Sequence, residues 1–121
     1  MFDHVGLNVR DYAASRSFYE RALAPLGYGI VMDFDEHKVV GFGADGKPRL
    51  WISEREPYGT GTHIAFACAD RATVDAFHEI ALDAGGLDNG APGVREQYHP
   101  TYYAAFVHDP DGNNLEAVCH T

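Results

Sequence analysis

Two short segments of the 121-residue chain decide the fold: residues 3–9, DHVGLNV, and residues 62–68, THIAFAC. Both alternate, with larger apolar side chains at every second position and a histidine among small or polar residues between them. A period of two is typical of a β-strand with two different faces. We expect the apolar face of each strand to pack under a helix. The other face, which carries His4 or His63, should line open space above a sheet.

The two segments belong to an internal repeat. When the chain is shifted by 59 residues, His4 aligns with His63, and 8 of the 24 positions from 4 to 27 are identical without a gap. The match runs through a strand-like segment, a helix cap and a helix in the same order, which indicates a duplicated module. We therefore expect a single domain, residues 1–121, that consists of two modules at about 1–55 and 61–121.

Each module is predicted to have the element order βαβββ. Asp11 and Asp70 are suited to cap the helix that follows each first strand, and glycine ends both helical runs, at Gly27 and at 85–86. The dipeptide at 45–46, Asp-Gly, predicts a hairpin. Further strands are expected at about 28–33, 37–43 and 49–54 in the first module and at about 94–98, 102–108 and 114–119 in the second, with a turn over 109–113.

The composition limits the class of protein. Lys and Arg number 9 and Asp and Glu number 18, so the net charge is −9 and the positive surface of a nucleic-acid-binding protein is missing. No stretch approaches the roughly 18 consecutive apolar residues of a membrane span, and the first residues do not resemble a secretory signal. Cys68 and Cys119 lie singly in apolar runs, as reduced cysteines do. We expect a cytoplasmic protein that binds neither nucleic acid nor a membrane.

A carboxylate in the last predicted strand suggests a metal site. Leu115 and Ala117 lie on the apolar face of this strand, which places Glu116 on the opposite face. Desolvating a mid-strand carboxylate is costly unless a cation meets it. If the histidine faces and the Glu116 face line one concavity, His4, His63 and Glu116 converge. Two imidazoles and one carboxylate can hold a divalent metal and leave positions open for a substrate.

The chain resembles the vicinal oxygen chelate superfamily. The resemblance rests on the paired βαβββ modules, the histidine in each first strand and the closing motif Asp109-Pro110-Asp111-Gly112-Asn113-Asn114-Leu115-Glu116. That superfamily includes glyoxalase I, the fosfomycin-resistance thiol transferases, the extradiol dioxygenases and the metal-free bleomycin-resistance proteins. The resemblance covers essentially the whole chain and does not resolve the subfamily. It implies an α+β fold in which two modules form a curved mixed-sheet cup with the helices outside.

The resemblance also implies which residues hold the metal. The superfamily's ligand positions fall on His4, His63 and Glu116. Its fourth position, a carboxylate in the last strand of the first module, falls on Leu50 or, with one residue of slack, on Trp51, and neither side chain binds a metal. Glyoxalase I is typical of the members with a four-ligand site, in which the extra glutamate also transfers protons. The three-ligand pattern is instead similar to that of the extradiol dioxygenases and the fosfomycin-modifying enzymes.

Further candidates lie near the same cavity. Alignment with the family points Tyr102 and Phe106 inward, where Tyr102 could donate to a substrate oxyanion. His99 could act as an acid or base near neutral pH. Tyr98 and Trp51, the latter in the vacated ligand position, would form apolar walls of the pocket. In the alternative interpretation, Tyr102 and His99 belong to a hairpin with aromatic packing and a solvent-exposed loop.

Two classes of function remain open. The first is a metal-dependent lyase, dioxygenase or transferase in which iron, manganese, zinc or nickel chelates a substrate with neighbouring oxygens and stabilises an enolate or alkoxide. The second is a metal-free protein of the bleomycin-resistance type that sequesters a small aromatic or cationic compound. The resemblance further implies a homodimer. Its site either combines His4 of one chain with His63 and Glu116 of the other or lies within a single chain.

Overall fold

The first strand is short and has two unlike faces, as its alternation predicts. In the computed structural model, which describes residues 1–121, this strand is β1, and it spans Val5–Val9. Leu7 and Val9 are buried, whereas Gly6 is exposed and Asn8 is half-buried. The apolar face therefore belongs to the core and the opposite face is open.

Two consecutive modules of the order βαβββ make up the chain, and the α+β fold class is confirmed. The first module consists of β1, α1 (Tyr12–Ala22), β2 (Gly29–Phe34), β3 (Val39–Ala44) and β4 (Lys47–Glu54). The second consists of β5 (His63–Ala67), α2 (Arg71–Asp83), β6 (Leu87–Val94), β7 (Tyr103–His108) and β8 (Asn114–Cys119).

Each module forms its own four-stranded mixed sheet. The strand orders are β1-β4-β3-β2 and β5-β8-β7-β6, so the two sheets have the same topology. The first strand of each module pairs in parallel with the last, and the other pairs are antiparallel. No strand pairing joins the two sheets, and neither sheet closes into a barrel. As a result β1 and β5 are edge strands.

The helices begin where the sequence predicts. Asp11 and Asp70 adopt extended backbone conformations, and their carboxylates accept hydrogen bonds from the backbone N–H groups of Ala14 and Thr73, at 3.1 and 2.8 Å. The first helix ends at Ala22 and gives way to a short 3₁₀ turn at Ala24–Leu26. Proline at position 25 has no N–H to continue the α-helical ladder. Neither helix has the length and apolar character needed to cross a membrane.

One predicted strand is wrong. The sequence predicts a strand at about 94–98, but the observed strand, β6, lies earlier in the chain, at Leu87–Val94. The backbone after β6 forms a turn before β7 begins. This segment reads LDNGAPGV, with two glycines and one proline, and it pairs with β7 through two irregularities in register. Such residues are typical of an interrupted edge strand and conceal the alternation that identifies ordinary strands.

The two modules share one hydrophobic core. Its 19 buried residues come from both modules, and the two helices contact each other. A polar connection crosses the same boundary, because the buried hydroxyl of Tyr19 in α1 donates to the carboxylate of Asp109, at 2.5 Å, in the loop before β8. Two further bonds tie this loop to the first module: Asp111 accepts from the N–H of Arg10 and the hydroxyl of Ser15. The turn predicted over 109–113 thus also joins the modules.

Candidate metal centre

The register of the sheets places equivalent residues of the two modules in equivalent rows. In the second module a row crosses the sheet from Ala65 through Glu116 and Phe106 to Gly90. In the first module the row crosses Gly6, Trp51, Gly41 and Met32. Since Gly6 and Ala65 are related by the 59-residue repeat, Trp51 occupies the position that Glu116 occupies in the other module.

The structure brings His63 and Glu116 together. The Nε2 atom of His63 lies 3.2 Å from Oε1 of Glu116, although the histidine precedes the row by two residues on β5. The His63 ring also lies along that of Phe106, with 6.5 Å between ring centres and 24° between ring planes. One side chain from each of three neighbouring strands therefore meets on one face of the second sheet.

The hydrogen bonds of His63 determine which nitrogen is available. Its Nδ1 atom lies 3.0 Å from the carbonyl oxygen of Asn114. A carbonyl only accepts, so Nδ1 carries the proton of this bond, and Nε2 of the neutral ring presents a lone pair. That lone pair is directed at a carboxylate oxygen. Two acceptors facing each other at this distance require a positive species between them, either a proton or a metal ion.

Glu116 is buried and oriented by Tyr102. Only 4% of the Glu116 side chain is exposed, against 50% for His63. The Tyr102 hydroxyl donates to Oε2 of Glu116, which leaves Oε1 facing His63. Burial, and next the bond to Glu116, raise the pKa of Tyr102 to about 12, so the hydroxyl is a donor at neutral pH. The carboxylate is desolvated without an arginine or lysine partner.

His4 is held in a matching way on the other module. Its Nδ1 lies 2.8 Å from Oδ1 of Asp3, and this bond lowers the pKa of the Asp3 carboxyl. The carboxylate thereby fixes the ring and leaves Nε2 free, an arrangement that commonly orients metal-binding histidines. In one chain, however, no group of three His, Cys, Asp or Glu side chains is placed to hold a metal ion. His63 and Glu116 meet; His4 does not join them.

Two more predicted residues, Tyr98 and His99, lie beside Tyr102. Tyr98, His99 and His120 each place an aromatic ring within 5.4 Å of the Tyr102 ring, centre to centre. His99 Nε2 lies 2.6 Å from His120 Nδ1, so one of these two nitrogens donates a hydrogen bond to the other. His99 makes no bond to Glu116, and the Tyr102 ring lies between them. The aromatic packing of the alternative interpretation is therefore present together with the Tyr102–Glu116 contact.

The fourth ligand position could fall on Leu50 or Trp51 from the sequence alone, and the sequence gives no sign that Phe34 lies next to it. Leu50 is buried in the core, whereas Trp51 lies on the open face and is half-buried. Phe34 at the end of β2 stacks along Trp51, with 6.3 Å between ring centres and 15° between planes. No motif distinguishes Phe34 from a core phenylalanine, and only its pairing in an irregular edge strand reveals its direction.

The chain belongs to the Glyoxalase/Bleomycin resistance protein/Dioxygenase superfamily, whose profile matches residues 1–117. Members of this superfamily bind small molecules. No curated protein sequence matches the chain significantly.

Solved structures share the whole fold. A glyoxalase/bleomycin resistance protein from Albidiferax ferrireducens T118 is similar over 100% of this chain and 99% of that chain, with 28% identity and a TM-score of 0.84. A glyoxalase-related enzyme from Fulvimarina pelagi, 18% identical, covers 98% of this chain and 87% of its own, with a TM-score of 0.75. A family enzyme from Burkholderia phytofirmans PsJN, 20% identical, matches over 98% of both chains with a TM-score of 0.73. The last two establish the fold alone.

Proposed function

We propose that the protein is a metal-dependent enzyme that binds a substrate through two adjacent oxygen atoms. The metal site consists of His63 and Glu116 of one chain and His4 of a second copy. The observation that carries this proposal is the His63–Glu116 pair, in which an imidazole lone pair and a buried carboxylate oxygen are directed at one point, 3.2 Å apart. Both atoms are ligands that divalent transition metals accept.

The donor atoms, two imidazole nitrogens and one carboxylate oxygen, are of the types that such an ion binds. Each histidine has its Nδ1 engaged, by Asp3 at His4 and by the Asn114 carbonyl at His63, so both present Nε2. Iron(II), manganese(II), zinc or nickel held there supplies Lewis acidity toward the substrate oxygens. Two imidazoles and one carboxylate leave part of the coordination sphere for a substrate.

The surrounding residues position these groups. Tyr102 holds the Glu116 carboxylate with Oε1 toward His63. Its hydroxyl has a single proton, so donation to an oxyanion of a substrate bound beside Glu116 requires that the bond to Glu116 is given up. Phe106, next to Glu116 in the row, covers one side of the His63 ring. A role for His99 as an acid or base requires that the substrate extend past Tyr102, since the Tyr102 ring separates His99 from the carboxylate.

A second copy of the chain supplies the missing ligand. The edges of β1 and β5 carry unpaired backbone groups, apart from one bond from Gly59 N–H to the Asn8 carbonyl. Pairing β1 of one chain with β5 of another would bring His4 to His63. A cleft of about 470 Å³ between the modules, lined mainly by apolar side chains that include the exposed Phe2, offers further surface for such a dimer.

The test is metal content. Protein purified without added metal, and protein reconstituted with each of the four ions, should contain about one ion per chain by elemental analysis. The variants His63→Ala and Glu116→Gln should lose it. His37→Ala is the matched control, because His37 is exposed and its ring nitrogen lies 3.8 Å from the exposed carboxylate of Glu36. Metal bound equally by wild type and His63→Ala would contradict the proposal.

Metal-free binding of a small molecule is the second candidate. It is favoured by one observation: the 3.2 Å separation of His63 Nε2 and Glu116 Oε1 is also that of an ion pair, in which a proton on Nε2 would satisfy both side chains without a metal. In that case the wild type contains no ion and takes none up on reconstitution. The acidic protein would then bind ligands on the same open faces of the sheets.

A further inference from the structure

The first module presents an apolar row where the second presents its ligands. Trp51, Gly41 and Met32 are directly paired across β4, β3 and β2, so their side-chain positions share one face. The indole lies across Gly41. A Cβ atom at position 41 would stand 3.0 Å from both Cη2 and Cζ3 of Trp51, closer than ordinary side-chain contacts. Glycine thus lets the indole lie flat toward β2.

Two more side chains extend this surface. Phe34 stacks along the indole with 15° between the ring planes, and both Phe34 and Met32 are large, apolar and exposed, at 45% and 42%. We call Trp51, Phe34 and Met32 the aromatic platform. It contains no charged side chain, and the two rings lie nearly parallel.

We propose that the aromatic platform selects substrates in which a flat aromatic group adjoins the two chelating oxygens. The inference rests on the proposed function, because a second chain must place the platform opposite His63 and Glu116. Trp51 and Glu116 occupy equivalent positions in the two sheets. A cup made from one module of each kind therefore has His63 and Glu116 on one wall, and His4 and the platform on the other. A ligand that bridges these walls needs oxygen donors at one end and a planar apolar group at the other.

Stacking on exposed parallel rings explains the preference for an aromatic group. Offset aromatic pairs contribute about 0.5–1.5 kcal/mol beyond the area that they bury. Met32 adds an adaptable edge, since its unbranched side chain and sulfur pack well against ring edges. Trp51 and Phe34 are therefore specificity-determining residues of the proposed site, and Gly41 is a positioning residue that lets the indole lie flat.

The single tryptophan makes the inference measurable. Metal-loaded protein is titrated with acetohydroxamate and benzohydroxamate, which share two adjacent oxygens and differ by the phenyl ring. Benzohydroxamate should bind about three- to tenfold more tightly, the factor that corresponds to one aromatic pair, and should change the Trp51 emission. Acetohydroxamate should leave the emission nearly unchanged.

Variants separate the platform from the metal site. Phe34→Ala should remove most of the preference for benzohydroxamate and leave acetohydroxamate binding within about twofold, and Trp51→Leu, followed by calorimetry, should do the same. Leu87→Ala, at an exposed leucine outside the platform, should retain the preference.

Failure of the inference differs from failure of the proposed function. If acetohydroxamate binds in a His63-dependent way and benzohydroxamate binds no more tightly, the platform is overturned and the metal site stands. If neither compound binds to metal-loaded protein, the proposed function fails, and the inference with it. If iodide cannot quench Trp51 in ligand-free protein, a second copy already covers the platform, which overturns the inference.

Discussion

Trp51 lies in the first sheet where Glu116 lies in the second: Trp51 pairs with Gly6 of β1, and Glu116 pairs with Ala65, the equivalent residue of β5. The duplication has kept a histidine at the start of both modules and a carboxylate in only one. Where the second module surrounds its carboxylate with Tyr102 and Phe106, the first places an indole over Gly41. The chain therefore has three candidate ligands and an apolar wall in place of a fourth.

Restoring a carboxylate at position 51 should tighten metal binding. In Trp51→Glu the new side chain occupies the row equivalent to Glu116 and adds a fourth ligand to the shared site. We expect affinity for Zn(II) or Mn(II) to rise about tenfold or more, since even outer-sphere partners change metal affinity ten- to hundredfold. Competition with a chromophoric chelator measures it. Trp51→Leu is the control; equal affinity in both variants would place residue 51 away from the metal.

Asp3 should support metal binding through His4. Its carboxylate accepts from Nδ1 of His4, which fixes the ring and makes Nε2 more basic. Asp3→Asn keeps the shape but removes the charge, and metal affinity should fall about tenfold with the fold intact. The same substitution at the exposed hairpin residue Asp45 should have no effect. An unchanged dissociation constant in Asp3→Asn would argue that His4 is not a ligand.

The Tyr19–Asp109 bond should stabilise the junction of the modules. Both residues are buried, and the carboxylate also accepts from the side-chain amide of Asn113. Tyr19→Phe removes a hydrogen bond to a buried charged group, so the free energy of unfolding in urea should fall by about 1.5–3 kcal/mol. Tyr58→Phe, at a half-buried tyrosine whose ring faces the Arg10 guanidinium, should change it by less than about 0.5 kcal/mol. If both substitutions lowered the free energy of unfolding equally, the Tyr19–Asp109 bond would have no special stabilising role.

Cys68 should react slowly at neutral pH despite its partial exposure. Burial raises the pKa of its thiol from the ordinary 9.0 to about 11, which lowers the thiolate fraction at neutral pH about a hundredfold. The rate of alkylation by iodoacetamide should therefore keep rising with pH beyond 9. Cys119 is buried and should react only in urea. A rate for Cys68 that levels off near pH 9 would show that its thiol has an ordinary pKa.

The sequence predicts most of the local structure because local rules determine it. The alternation in β1 and β5, the caps at Asp11 and Asp70, and the turn at Asp45, where Asp45 and Gly46 both adopt positive φ, depend on neighbouring residues alone. The sequence does not predict the position of β6, because its two glycines and its proline belong to an irregular edge strand and break the alternation.

The site is predictable only in part, since it depends on contacts between distant segments. The strand faces point to Glu116 and His63, which lie 3.2 Å apart in the structure. From the sequence, residues 109–113 form a simple turn. No neighbouring residue indicates that Asp109 accepts a hydrogen bond from the hydroxyl of Tyr19, 90 residues earlier in the chain. The roles of Phe34 and Asp3 likewise follow only from their contacts: Phe34 stacks along Trp51, and Asp3 forms a hydrogen bond with His4. The position of His4 depends on a second chain, which one sequence does not describe.

A mixed dimer tests the shared metal site most directly. Chains carrying His4→Ala and His63→Ala are given different affinity tags, co-expressed, and purified through both tags. If each site takes His4 from one chain and His63 with Glu116 from the other, the mixed dimer has one intact site. It should bind one metal ion per dimer, while dimers of either variant alone bind none. A mixed dimer that binds no metal, while the wild type does, would contradict the shared site.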